Sequence, residues 1–325
     1  MKKSHAFLAA AVTAFAFAAT PVFAQIKWNL PAAYPADNPH SENLALFAKD
    51  VADATGGKLQ ITVHPAASLF KAPEIKRAVQ TGQVQIGEVL LSIHENEDPM
   101  FGVDVVPFLA TSYPQAEKLW QASKPVIMKK LAAQGLIVLF AVPWAPQGIY
   151  ANKDINSIAD MKGLKWRSYN VGTARIGELA GAQSVTVQAA ELPQALATGV
   201  VNSFISSGAT GYDSKVWESL DHFYDTKAWI PKNVTFVNKA AFDALDKPTQ
   251  DALLKAAATA ETRGWKMWQD KNQWYLDQLK AKGMKVLPPS PELAAGFKKI
   301  GGQLTADWLK KAGTDGEAVI AAYRK

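Results

Sequence analysis

One segment of the chain returns, residue for residue, 117 positions later. Glu74, Ala78, Val79, Thr81, Gly82 and Val84 match Glu191, Ala195, Leu196, Thr198, Gly199 and Val201. In each copy an apolar-striped helix runs into Thr-Gly and then into an apolar strand. The glycine suits the left-handed residue that ends a helix before a strand. A doubled unit of this kind predicts two similar α/β lobes, with helices on the faces of mixed, mostly parallel sheets. Ligands of such sheets bind beyond the carboxyl ends of the strands, so two lobes facing each other would enclose a cleft.

The rest of the chain follows that order. Ile26 to Leu30 reads as a strand. Asn38 and Pro39 read as the cap and first position of a helix with Leu44, Phe47 and Val51 on one face. Leu59 to Val63 alternates as a strand, Pro73 opens a helix, and Val84 to Leu91 is the next strand. A helix near Gln115 to Gln134 and a buried strand, Leu136 to Val142, complete lobe I. Pro143 to Gly148 (PWAPQG) reads as a stiff crossing to the second lobe. There, Leu164 to Ser168, Ser184 to Val187 and Val200 to Ser206 read as strands, with helices at about Thr173 to Ala180 and Ala190 to Thr198. Ile230 to Asn233 reads as a crossing back, with Val234 to Val237 returning to lobe I. Lys247 to Gly283 reads as one long helix over both lobes, or as two helices broken near Gly264. These readings assign 25–143 and about 233–270 to lobe I, and 144–232 and about 271–325 to lobe II.

The first 24 residues read differently. Lys2 and Lys3 precede a mostly apolar run from Ala6 to Ala18 and then Val22-Phe23-Ala24. This is the pattern of a secretory signal peptide, with Gln25 beginning the mature, periplasmic protein. Its removal lowers the formal charge from +6 to +4, with 33 basic against 29 acidic residues. That small excess is spread along the chain and gives no reason to expect a nucleic-acid partner. Cysteine is absent, which excludes thiolate catalysis and thiolate metal sites. Past residue 24 no apolar run is long enough to span a bilayer.

Catalytic patterns are missing. There is no G-x-S-x-G, H-E-x-x-H, G-x-x-x-x-G-K or G-x-G-x-x-G. The histidines after residue 24 are His40, His64, His94 and His222, and no two share a helical face. The acidic turn from His94 to Pro99 lacks the glycine and spacing of a calcium loop. No cofactor is expected. What remains is Arg167, on a strand among apolar neighbours. A guanidinium keeps its proton, so a buried one needs an anion: either a distant carboxylate of the chain or the carboxylate of a ligand. Tyr169 and Asn170 follow on the same edge. Ser206, Ser207 and Thr210 end a neighbouring strand, Trp144 and Tyr34 stand in loops that could wall a pocket, and Glu88 interrupts an apolar strand. Each is a candidate ligand contact, and each also has an ordinary role as cap, turn former or core plug.

Taken together, TGGKLQITVHPAASL, EIKRAVQTGQVQIG, DMKGLKWR, LAGAQSVTV and ELPQALATGVVNS resemble the solute-binding proteins of tripartite ATP-independent periplasmic (TRAP) transporters, over about Ile26 to Trp268. The resemblance implies a two-lobed periplasmic binding protein fold with a long helix bridging both lobes. It implies that Arg167 pairs with the carboxylate of an organic acid, and that integral membrane permease subunits are the partners of a monomeric receptor. The family's usual Asp-Gly after Gly-Val-Val, and the Asn that follows, are replaced by Asn202, Ser203 and Ser206. The second arginine that some members carry near PWAPQG is absent. These departures point to a monocarboxylate, such as a hydroxy-, keto- or aromatic acid. The alternatives are a C4-dicarboxylate binder of the same family or a secreted two-lobe hydrolase.

Overall fold

The computed structural model describes residues 25–325, so the signal peptide read at 1–24 lies outside the described residues. β1 (Ile26–Pro31) leads through α1 (Pro39–Ala54) to β2 (Leu59–His64), and the two strands pair in parallel. Asn38 caps α1, its side chain accepting from the His40 N–H at 2.9 Å. α2 (Ala72–Gln80) passes through Gly82, at φ 73°, into β3 (Ile86–Leu90). Gly199, the counterpart of Gly82, has φ 67°. Both lie where a side chain is resisted, so the repeated Thr-Gly is a repeated helix stop. α3 (Tyr113–Ala132) and β4 (Leu136–Pro143) finish this part of lobe I.

Lobe II contains β5 (Gly148–Ala151), β6 (Lys165–Ser168), α4 (Val171–Leu179), β7 (Gln183–Thr186), α5 (Leu192–Ala197), β8 (Ser203–Ser206), α6 (Gly208–Asp213) and β9 (His222–Tyr224). The chain then returns as β10 (Lys232–Asn238), followed by α7 (Lys239–Asp243), α8 (Lys247–Ala281), β11 (Lys285–Leu287) and α9 (Pro291–Arg324). β10 inserts between β3 and β4, antiparallel to both. The second sheet has the order β11-β9-β5-β8-β6-β7. In it β5 runs antiparallel to β8 and β9, while β6–β7, β6–β8 and β11–β9 are parallel. Every antiparallel pair contains β5 or β10, the strand that each lobe receives straight from a crossing segment. The two crossings are also bonded to each other. Trp144 N–H donates to Pro231 O at 2.8 Å, Gln147 N–H to Trp229 O at 3.0 Å, and Ala228 N–H to Gln147 O at 3.0 Å.

Lobe I is filled on both sides of β3-β10-β4. Ile75, Leu119, Trp120 and Ile127 pack one side, and Phe47, Leu253 and Trp268 pack the other. Each such side chain contributes about 1.5–3 kcal/mol by leaving water. α8 is one unbroken helix of 35 residues, about 50 Å long. Leu253, Ala256, Ala260 and Trp268 sit in the lobe I core, whereas Leu276 and Leu279 sit in that of lobe II. Gly264 does not interrupt it. The glycine lets the helix approach β4: a Cβ there would lie 2.5 Å from a Val142 methyl and 2.8 Å from Asn43 Nδ2. α9 also reaches both lobes, with Leu293 and Phe297 in the lobe II core and Trp308 and Val319 in that of lobe I.

Candidate functional site

β6 lies between β7 and β8, so a side chain near its carboxyl end faces the gap between the lobes. Arg167 occupies that place and is 2% exposed. Its Nε donates to Val187 O at 2.7 Å, and its guanidinium lies 5.1 Å from the centre of the Tyr169 ring. Among the described residues no carboxylate pairs with it, so the chain does not supply the anion a buried guanidinium requires. Burial pulls its pKa down to about 10, with Tyr169 and Tyr34 pushing the other way, so it stays a cation at neutral pH.

Around Arg167 is a narrow cleft with walls from both lobes. Lobe I supplies Tyr34 and Leu90, lobe II supplies Tyr169, Ser206 and Thr210, and Trp144 and Pro231 of the crossings close it. Tyr34 and Trp144 meet edge to face, with ring centres 4.6 Å apart. Trp144 is fixed by its Nε1–H, which donates to Asn233 Oδ1 at 2.8 Å. The Tyr169 hydroxyl accepts from Trp229 Nε1–H at 3.2 Å, and burial raises its pKa, so it stays protonated. Ser206 Oγ–H donates to Thr210 Oγ1 at 2.8 Å. The cleft thus offers one cation, aromatic walls and a few hydroxyls, and it is predominantly apolar elsewhere.

Six of the nine side chains singled out in the sequence meet here: Arg167, Tyr169, Tyr34, Trp144, Ser206 and Thr210. Three stand just outside the cleft lining. Asn170 caps α4, accepting from Thr173 N–H at 2.8 Å, while its Nδ2 donates to Ser92 Oγ at 3.1 Å. Ser207 caps α6, accepting from Thr210 N–H at 3.2 Å. Glu88 is buried in lobe I with an oxygen 3.3 Å from His40 Nδ1. Sequence reasoning did not single out Gln147, Gln188, Ile93 and Ala189, which also line the cleft. Gln147 and Gln188 lie outside any strand or helix, and Ile93 and Ala189 lie in single 3-10 turns, so no periodicity reveals which way these side chains point.

Past the cleft, four polar contacts among the described residues join lobe to lobe. Each connects the segment after a lobe I strand to the segment after a lobe II strand. Asn38 Nδ2, after β1, donates to Asp213 Oδ2, after β8, at 2.7 Å. Lys71, after β2, pairs with Glu191, after β7, at 3.3 Å. After β3, Ser92 receives Asn170, and the Glu95 carboxylate accepts the Gly172 N–H at the start of α4. The neighbouring acids of that turn are bound within lobe I, Glu97 to Lys76 and Asp98 to Lys130.

Among solved structures, this chain is similar to DctP6 of Bordetella pertussis, an extracytoplasmic solute receptor binding pyroglutamic acid. They are 59% identical with a TM-score of 0.90, over 92% of this chain and 99% of that one. It is also similar to a TRAP solute-binding protein of an unidentified marine microbe, specific for pyroglutamate. That pair is 48% identical with a TM-score of 0.92, over 93% of this chain and 99% of the other. A monocarboxylate 2-oxoacid-binding periplasmic protein of Nostoc is 25% identical over 281 residues, covering 85% of this chain and 77% of its own length. Residues 32–311 match the DctP family model, described as bacterial extracellular solute-binding protein, family 7. The two lobes, the cleft between them and these likenesses agree: the chain belongs to the family 7 solute-binding proteins, the receptors of TRAP transporters rather than enzymes.

Proposed function

We propose that this protein captures pyroglutamate, or a closely similar small cyclic monocarboxylate, in the periplasm. It then presents the cargo, as a monomer, to the membrane permease subunits of a TRAP transporter. The observation that carries this reading is Arg167, buried at the cleft floor with a carbonyl and an aromatic face for company but no carboxylate. A ligand carboxylate supplies the missing charge through two parallel N–H···O bonds. Pyroglutamate carries one carboxylate on a flat five-membered lactam. The lactam ring suits the slot between Tyr34 and Trp144 on one side and Tyr169 on the other. Its N–H and C=O suit the hydroxyls of Ser206 and Thr210 and the amides of Gln147 and Gln188. A single arginine and no second cation disfavour a dicarboxylate. The likeness at 59% identity to a receptor that binds pyroglutamic acid supports the same choice.

Binding in a cleft with walls on both lobes also gives a mechanism for signalling occupancy. Contacts from the second wall form only when the lobes meet, so the ligand shifts the equilibrium toward the closed form by that extra affinity. Isothermal calorimetry with L-pyroglutamate, pyruvate, lactate and succinate tests the reading. Pyroglutamate is expected to bind tightest and succinate not to bind. Succinate bound as tightly as pyroglutamate, or an Arg167→Ala variant of unaltered affinity, would overturn it.

A further inference from the structure

Two of the four lobe-to-lobe contacts place a carboxyl group of one lobe against the other with no ion pair to it. Glu95 comes from lobe I and meets the start of α4 in lobe II. Asp213 comes from lobe II and meets the Asn38 amide of lobe I. We infer that closing the lobes takes up protons, because it carries these two carboxyl groups from water into a joint that offers N–H donors but no ion pair. This inference rests on the closing motion proposed above. It adds that the affinity for an anion of fixed charge depends on pH through residues that do not line the anion's own pocket.

The surroundings of each group bear on the sign. Glu95 faces the amides of Val171 and Gly172, and Lys311 of α9 and Asp104 also act on it. Arg175, Asp307 and Lys310 line the same groove. None of these cations forms an ion pair with it among the described residues. Asp213 faces Asn38, with Asp37 repelling it and Lys271 attracting it, and Tyr150 and Tyr275 lie within its field. Lys271 is engaged elsewhere, 2.8 Å from Glu42. In both cases loss of water outweighs the hydrogen bonds. Burial pushes the Glu95 carboxyl up to about 7 and the Asp213 carboxyl up to about 6. A carboxyl that returns to water on opening returns to its ordinary range near 4. The closed form therefore binds more protons than the open one between about pH 4 and pH 8. Ligand affinity rises as pH falls through that window and levels off below it.

Calorimetry of the mature protein with L-pyroglutamate at pH 6.5, in two buffers of different ionisation heat, counts the protons directly. The expected result is uptake of about one proton per ligand, together with roughly hundredfold tighter binding at pH 5.5 than at pH 8. A Glu95→Gln, Asp213→Asn double variant is expected to bind with the uptake reduced to near zero. Arg167 is untouched in that variant, so binding itself persists. Ligand binding with no proton uptake overturns the inference and leaves the role of Arg167 standing, as does full uptake in the double variant. The pH dependence of wild-type affinity gives the same answer without any substitution, and a flat profile from pH 8 to 5.5 sinks the idea.

Discussion

Two buried cations stand near the middle of this molecule, and their company differs. Lys232 opens β10, where the chain crosses back to lobe I, and is 2% exposed. Its ammonium lies 3.3 Å from Asp104, and the same carboxylate accepts its backbone N–H at 2.9 Å. Arg167, at the cleft floor, is equally buried and has no such partner among the described residues. The hinge cation is neutralised by its own chain, so its charge is complete whether or not cargo is present. On the function proposed above, the cleft cation is left for the carboxylate of a ligand. A charge that serves only the fold is paired within the fold, because leaving it alone in low dielectric is costly. On the same proposal, the unpaired one marks the place where a ligand completes the charge balance.

Substitutions at the two places should part company in the same way. Arg167→Ala is expected to weaken pyroglutamate binding by about 2–5 kcal/mol, roughly 30- to 5,000-fold, by calorimetry. Its melting temperature should hold or rise, since an uncompensated buried charge is removed. Asp104→Ala should do the reverse, lowering stability to urea by about 3 kcal/mol because Lys232 is stranded, while any protein that remains folded still binds. If both variants lost stability alike, the contrast between hinge and cleft would be void. Gly264→Ala is a milder probe of how α8 is seated. Helix propensity favours alanine by about 1 kcal/mol, but the new methyl meets Val142 and Asn43, so a net loss of about 1 kcal/mol is expected in the same assay. Smallest of all is Lys71→Ala. Its pair with Glu191 is exposed, so ligand affinity should change by no more than about twofold.

Much of this was legible in the sequence because the signals were periodic. The strand carrying Arg167, the return strand that became β10 and the two left-handed glycines were all readable from local pattern. The choice between one long helix and two was not. It turned on Gly264, which reads locally as a breaker and in the fold is a notch for β4. Asn170 and Ser207 show a second limit. Both are strong cap residues, and both cap here, a role that polar residues after strands share with ligand contact. Gln147 and Gln188 show a third. A side chain in a crossing or a turn is aimed by tertiary contacts, so residue type alone cannot announce that it faces the cleft. The lobe-to-lobe contacts were invisible for a related reason, since Glu95 and Gly172 are brought together only when both sheets are built.

The two long helices carry a consequence for how far such a molecule can gape. α8 and α9 each bury one stretch in lobe I and another in lobe II. On the proposed closing motion, a jaw strapped by one straight rod and by a second that bends at Gly313, where φ is 54°, cannot swing like a door. It has to roll, with the Leu276 and Leu279 end of one rod acting as a greased bearing against its neighbour, and dense packing leaves that bearing a small throw. Welding the rod to lobe II at those two positions should leave the receptor folded yet slow to admit or release its cargo.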